Sequence, residues 1–222
     1  MKLAIALLLT ANAAFAQEFI TTDAPLSDTD FYRLVACAAL PAGECQKELV
    51  RWSPADAQNV SIGIVQIEDG YPAAVAQKAA IALRSAIEHL NAVDANLHIT
   101  PSDSTQKPDI GIYLLTIVEG DAIRNTGLSP LDGEVIEAAK TQLWWRADQT
   151  LIEGAIVFGK DISPGDLASI MLEEVTQAMG LLTDVGGQYY QTRSIFSESS
   201  NQLTTLGAQD IMTLRRHYPK SP

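Results

Sequence analysis

Histidine is scarce in this chain. There are three, His89, His98 and His217, and no two stand at the spacing with which one helix grips a metal. A two- or three-histidine zinc centre therefore cannot be built from a single helix. Cysteine is scarcer: Cys37 and Cys45 stand alone, with no CxxC pair for redox chemistry and too few thiols for a zinc ribbon. Positive charge is in deficit, with 15 Lys and Arg against 27 Asp and Glu and a net charge of −12. A surface this acidic repels nucleic acid and anionic lipid, so neither is an expected partner. Beyond the first residues no window of ~18 uninterrupted apolar residues occurs, and no membrane span is expected. A Gly-rich phosphate loop and the G-x-S-x-G elbow of serve-type nucleophiles are also missing.

What is present begins with a targeting signal. Lys2 forms the charged region, Leu3 to Leu9 a short apolar run, and Ala14-Phe15-Ala16 an A-x-A cleavage site. Residues 1–16 are thus read as a signal peptide, and the mature chain as exported, periplasmic or secreted, starting at Gln17. No cysteine stands at the cleavage point, so no lipid anchor is expected. Residues 17–49 form an N-terminal extension, in which the stretch CAALPAGEC predicts a local Cys37–Cys45 disulfide across a Pro-Ala-Gly turn. Residues 50–222 form the main domain.

Periodicity gives the elements. LSDTDFYRLV, residues 27–36, predicts a helix capped by Ser27 or Asp28. Residues 61–67 alternate as a strand, and the Ala- and Leu-rich stretch 72–93 repeats at helical spacing after Pro72. LHIT and DIGIYLLTIV read as strands two and three. Residues 119–141 read as a loop with a short helix over 133–140; QLWWRAD and LIEGAIVFG read as strands four and five. The next helix is expected to take Ser163 as N-cap and Pro164 as its first residue, with Asp166 three residues after the cap and Gly180 as its end. LGAQDIMTLRRHYP closes the chain as a last helix. The fold class is α+β: a mixed sheet of about five strands with helices packed on it.

Chemistry concentrates on the helix MLEEVTQAMGLLTD, residues 171–184. At 100° per residue Glu173 and Gln177 fall about 40° apart, away from the apolar arc, where one ion or ligand can meet both. Glu174 falls on the rim of that arc, in a drier setting where a carboxyl pKa rises. Two ligands on one face and a Glu as base is the layout of a metal-assisted hydrolase. Glu173, Gln177 and Asp184 are the candidate ligands, and Glu174 is the candidate catalytic base. This oxygen-rich set suits Ca²⁺ better than zinc, so a histidine-type zinc site is not expected and the cofactor is open. Thr183 and the loop tyrosines Tyr189 and Tyr190 are candidate site-lining residues, a phenol being able to steady an oxyanion. Trp144-Trp145 is read as a strand's inner and outer pair.

The stretch resembles the zinc-protease helix H-E-x-x-H-x-x-G-x-x-H/D with both helix histidines replaced. Thr183 takes the third-ligand position, and Asp184 follows one step on. Ser194-Ile195-Phe196 resembles the Ser-Ile-Met turn that underlies the metal in matrix-metalloprotease-like metzincins, and Leu206, Asp210 and Tyr218 resemble their closing helix. A family of exported proteobacterial proteins known as a domain of unknown function is also similar, through DFYRLVAC…C…RW, E-E-x-x-Q-x-x-G-L-x-x-D and SIF. The resemblance implies a zincin (metzincin)-like fold with a long first helix, an active-site-type helix and a C-terminal helix. The reading that follows is a secreted metalloprotease-like protein with an inactive site that binds a peptide or protein ligand. The alternatives are an active hydrolase with an oxygen-rich metal site, and a periplasmic scaffold with a vestigial cleft.

Overall fold

A five-stranded mixed sheet forms the centre of the protein in the computed structural model, which describes residues 19–22, 24–102 and 107–220. The expected signal peptide and the start at Gln17 lie outside the described residues. In chain order the elements are β1 (Ile20–Thr21), α1 (Asp28–Cys37), β2 (Val60–Ile67), α2 (Ala73–Asn91), β3 (Ile99–Pro101), β4 (Ile110–Leu114), β5 (Ala139–Trp145), β6 (Leu151–Phe158), α3 (Leu167–Gln177), β7 (Val185–Gly186) and α4 (Ala208–His217), with a 3-10 turn at Asp56–Asn59. The main sheet runs β3-β2-β4-β6-β5. Its pairs are parallel except β5 with β6, so β5 is an antiparallel edge. β1 and β7 make a separate parallel pair.

Alternation decides which side each strand residue serves. Ile110, Ile112 and Leu114 of β4 and Ile156 and Phe158 of β6 face the helices in the main core. Ala155 and Val157 face the other way, into a second cluster with Leu115, Ile123, Leu131 and Ile136 from the β4–β5 connection. That connection buries the outer face of the sheet without becoming a helix. The short helix expected over 133–140 is absent: β5 already begins at Ala139, opposite Phe158. Pairing with β6 satisfies this backbone, and Lys140 finds Glu134 at 2.9 Å, so tertiary partners override the local preference.

α1 follows expectation closely. The Ser27 hydroxyl oxygen accepts from the Asp30 amide at 3.1 Å, and Phe31, Leu34 and Val35 are fully buried in the main core. The segment ahead of residue 50 is therefore built into the same core as the sheet. Cys37 and Cys45 are disulfide-bonded, with sulfurs 2.01 Å apart. Closing so short a loop stabilises by about 2 kcal/mol.

α3 starts later than its sequence suggests. The Asp166 and Leu167 amides both donate to the Ser163 carbonyl, which makes 163–166 a turn, and regular helix begins at Leu167 with no side-chain cap. Its far end is clamped. The Trp52 indole donates to the Ala178 carbonyl at 3.2 Å and the Tyr218 hydroxyl to that of Met179 at 2.7 Å. Gly180 then reverses the chain at φ +95°, and a Cβ there would sit 2.1 Å from the Val50 carbonyl oxygen. Only glycine fits both the torsion and the contact.

Candidate functional site

Glu173, Glu174 and Gln177 leave α3 on sides that the fold has covered. They are 8%, 3% and 1% exposed, so none lies on a solvated helix face. β5 meets α3 at Glu174, and the chain after Gly180 meets it at Gln177. The Gln177 amide nitrogen donates to Asp184 Oδ1 at 2.8 Å, and Asp184 is itself 2% exposed. The Thr141 hydroxyl of β5 donates to Glu174 Oε2 at 2.5 Å.

Burial dominates the electrostatics. Desolvation pushes the Glu174 carboxyl up to about 8, against a smaller opposing effect of the Thr141 hydrogen bond. It pushes Asp184 up to about 7, helped by the negative field of Glu198 and opposed by the Gln177 amide and Lys47. Glu173 is raised well above the ordinary carboxylate range, first by desolvation and then by Asp184, Glu174 and Glu198. Burial, and after it the repulsion among neighbouring carboxylates, favours the protonated form of Glu173 and Glu174 near neutral pH.

Gln177 and Asp184 are thus brought together as hydrogen-bonded partners, with Glu173 buried in the field of Asp184. Thr183 sits alongside, with its amide donating to the Val35 carbonyl at 3.2 Å and its buried hydroxyl unpaired. Among the described residues no group of three or more His, Cys, Asp or Glu side chains is arranged to hold a metal ion. His217, buried behind Gly180, uses both ring nitrogens: Nε2 donates to the Val50 carbonyl at 3.0 Å, which leaves Nδ1 to accept from the Tyr32 hydroxyl at 3.3 Å. Desolvation lowers its pKa to about 4, keeping it neutral. A zinc centre does not fit these residues: His217 has both ring nitrogens engaged, and the Gln177 amide turns its nitrogen toward the Asp184 carboxyl.

Beneath the site the Ser-Ile-Phe segment is buried and tied to α4. Asp210 Oδ1 accepts from the Ser194 hydroxyl at 2.6 Å, while Oδ2 accepts from the Ile195 and Gly207 amides at 3.0 and 2.7 Å. The Phe196 amide donates to Ser194 Oγ at 3.1 Å. The two loop tyrosines part company. Tyr190 is a core residue, stacked on Phe31 with centroids 5.4 Å apart and accepting from the Leu26 amide at 2.8 Å. Tyr189 is 37% exposed and lines a groove on the surface.

Sequence reasoning missed Thr141, which it left in a loop. The alternation Ala139, Thr141, Leu143 carries the signal: the flanking residues belong to the main core, so Thr141 faces the helices too. Trp144 and Trp145 are both half-buried rather than one in the core and one on the surface, with Trp144 packed on the outer cluster and Trp145 on the main core.

A family model described as a protein of unknown function, DUF2927, matches residues 29–221, and the chain belongs to that family. No match is found among curated proteins.

Proposed function

We propose that this is an exported, metalloprotease-like protein without peptidase activity, whose role is to bind a peptide or protein ligand. The observation that carries the reading is the buried Gln177–Asp184 hydrogen bond, 2.8 Å long, formed between two of the groups that stand at ligand positions. An amide-to-carboxyl bond there replaces a metal with an internal contact, and the nearby Glu174 carboxyl is buried and engaged by the Thr141 hydroxyl at 2.5 Å. Further support comes from the antiparallel edge strand β5 running beside α3 and from the buried Ser194–Phe196 bend anchored by Asp210. These features accord with the metzincin-like arrangement that the motifs suggest; the function rests on the site rather than on that likeness.

The buried carboxyl of Glu173, raised well above the ordinary carboxylate range first by desolvation, favours a second reading, a hydrolase with an oxygen-rich site. A turnover assay separates the two. The mature protein is incubated with a mixed peptide library, with and without added zinc or calcium, beside its Glu174→Gln variant. The proposal expects no cleavage by either protein. Cleavage by the parent that disappears in Glu174→Gln establishes the hydrolase instead.

A further inference from the structure

Two adjoining grooves open on the surface formed by the chain just before the Ser194–Phe196 bend and just ahead of α4. One, of about 650 Å³, is polar, with Thr22, Gln188, Gln191 and Thr192 in its lining. The other, of about 350 Å³, has an apolar wall of Leu26, Leu203 and Leu206 and runs to the first turn of α4. Tyr189, Thr192 and Arg193 line both and form the ridge between them.

Arg193 is held at that ridge. Its guanidinium lies 4.4 Å from the Tyr189 ring centroid, and Nη1 donates to the Tyr189 carbonyl at 3.0 Å. Nη1 also donates to Thr192 Oγ1 at 3.5 Å, while no hydrogen bond from Nε or Nη2 to a protein group is found among the described residues. The backbone beneath is fixed as well: a Cβ at Gly207 would lie 1.8 Å from the Arg193 carbonyl oxygen, so α4 starts in direct contact with it. Asp210 grips Ser194, Ile195 and Gly207 together. Among the described lining residues of both grooves none is acidic, although the chain carries 27 Asp and Glu and a net charge of −12. Asp28, exposed at the start of α1, accepts from the amide of the lining residue Gln209 at 3.0 Å.

We propose that these grooves bind the C-terminal end of an extended peptide, with Arg193 pairing the terminal carboxylate and the Leu26–Leu203–Leu206 wall taking an apolar last side chain. This rests on the peptide-binding reading above and names its site and ligand class. A cation held flat on an aromatic ring, with N–H groups spare, is suited to a carboxylate fork. The amides and hydroxyls of Gln188, Gln191 and Thr192 supply the polar partners that an extended backbone needs. Gln191 keeps one of its bonds inside the protein, to Ser199 Oγ at 3.1 Å.

The test uses the full mature protein and a fluorescein-labelled, alanine-rich hexapeptide ending in leucine, as the free acid and as the C-terminal amide, followed by anisotropy. The free acid is expected to bind saturably and the amide about 10-fold more weakly, in line with one charge-assisted pair. Arg193→Gln is expected to cost the free acid the same factor and to leave the amide unchanged; Arg193→Lys recovers part of it. Equal binding of the two forms, no effect of Arg193→Gln, or no saturation by either form up to about 1 mM overturns the inference. The wider reading fails differently: a free-acid probe that is bound and then cleaved refutes inactivity while leaving the carboxylate site in place.

Discussion

Three carboxyls on or next to α3 make the clearest residue-scale statement about stability. Glu173, Glu174 and Asp184 all have folded pKa values above their ordinary ones, with Glu174 at about 8 and Asp184 at about 7. The folded state therefore holds more protons than the unfolded chain across that window, and stability present at the acid side is lost as pH rises through it. His217 acts in the opposite sense, since its folded pKa of about 4 lies below its ordinary 6.5 and its contribution is lost only as pH falls below 6.5. Between pH 6.5 and about 8 the buried carboxyls thus set the slope. The melting temperature is expected to fall over that interval, and Glu174→Gln is expected to flatten the fall, as read by calorimetry. A melting temperature that rises over the interval contradicts the buried network. That Glu174 sits in a dry place was legible from its position on the apolar rim. That Glu173 and Gln177 are buried was not, because helical period reports one element's faces and says nothing of what covers them.

At the scale of the element, Asp210 joins three pieces of chain. It satisfies the Ser194 hydroxyl and the amides of Ile195 and Gly207, so one side chain fixes the bend, the start of α4 and the backbone on which Arg193 stands. Asp210→Ala leaves three buried donors without an acceptor and is expected to destabilise by about 2–4 kcal/mol in urea unfolding. Asp210→Asn keeps an acceptor and the shape and is expected to cost about half as much; equal losses would mean that volume, not hydrogen bonding, is what Asp210 supplies. Most elements could be read from their own residues. Ser27 caps α1 as its sequence suggests, and Gly180 ends the turn after α3. The failures have a common cause. The stretch 133–140 looks helical alone and becomes turn and strand because β6 offers a backbone to pair with. Ser163 looks like a helix cap, yet it accepts two amides as a turn, and α3 begins four residues on at Leu167.

On the whole molecule, the fold uses chemistry-bearing residues as core. The helix motif lies between the edge strand β5 and the segment 181–186, with Glu174 bonded to Thr141 and Gln177 to Asp184. At the surface, the grooves around Arg193 present a cation and an apolar wall on an acidic molecule. No helix among the described residues is long and apolar enough to cross a membrane. The central claim is that an internal hydrogen-bonded network stands where a metal would. Its most direct test is the metal content of the mature protein after equilibration with zinc, and separately with calcium, near neutral pH. The account predicts that neither ion is retained in stoichiometric amount. One equivalent of either, lost in both Glu173→Gln and Asp184→Asn, would contradict it.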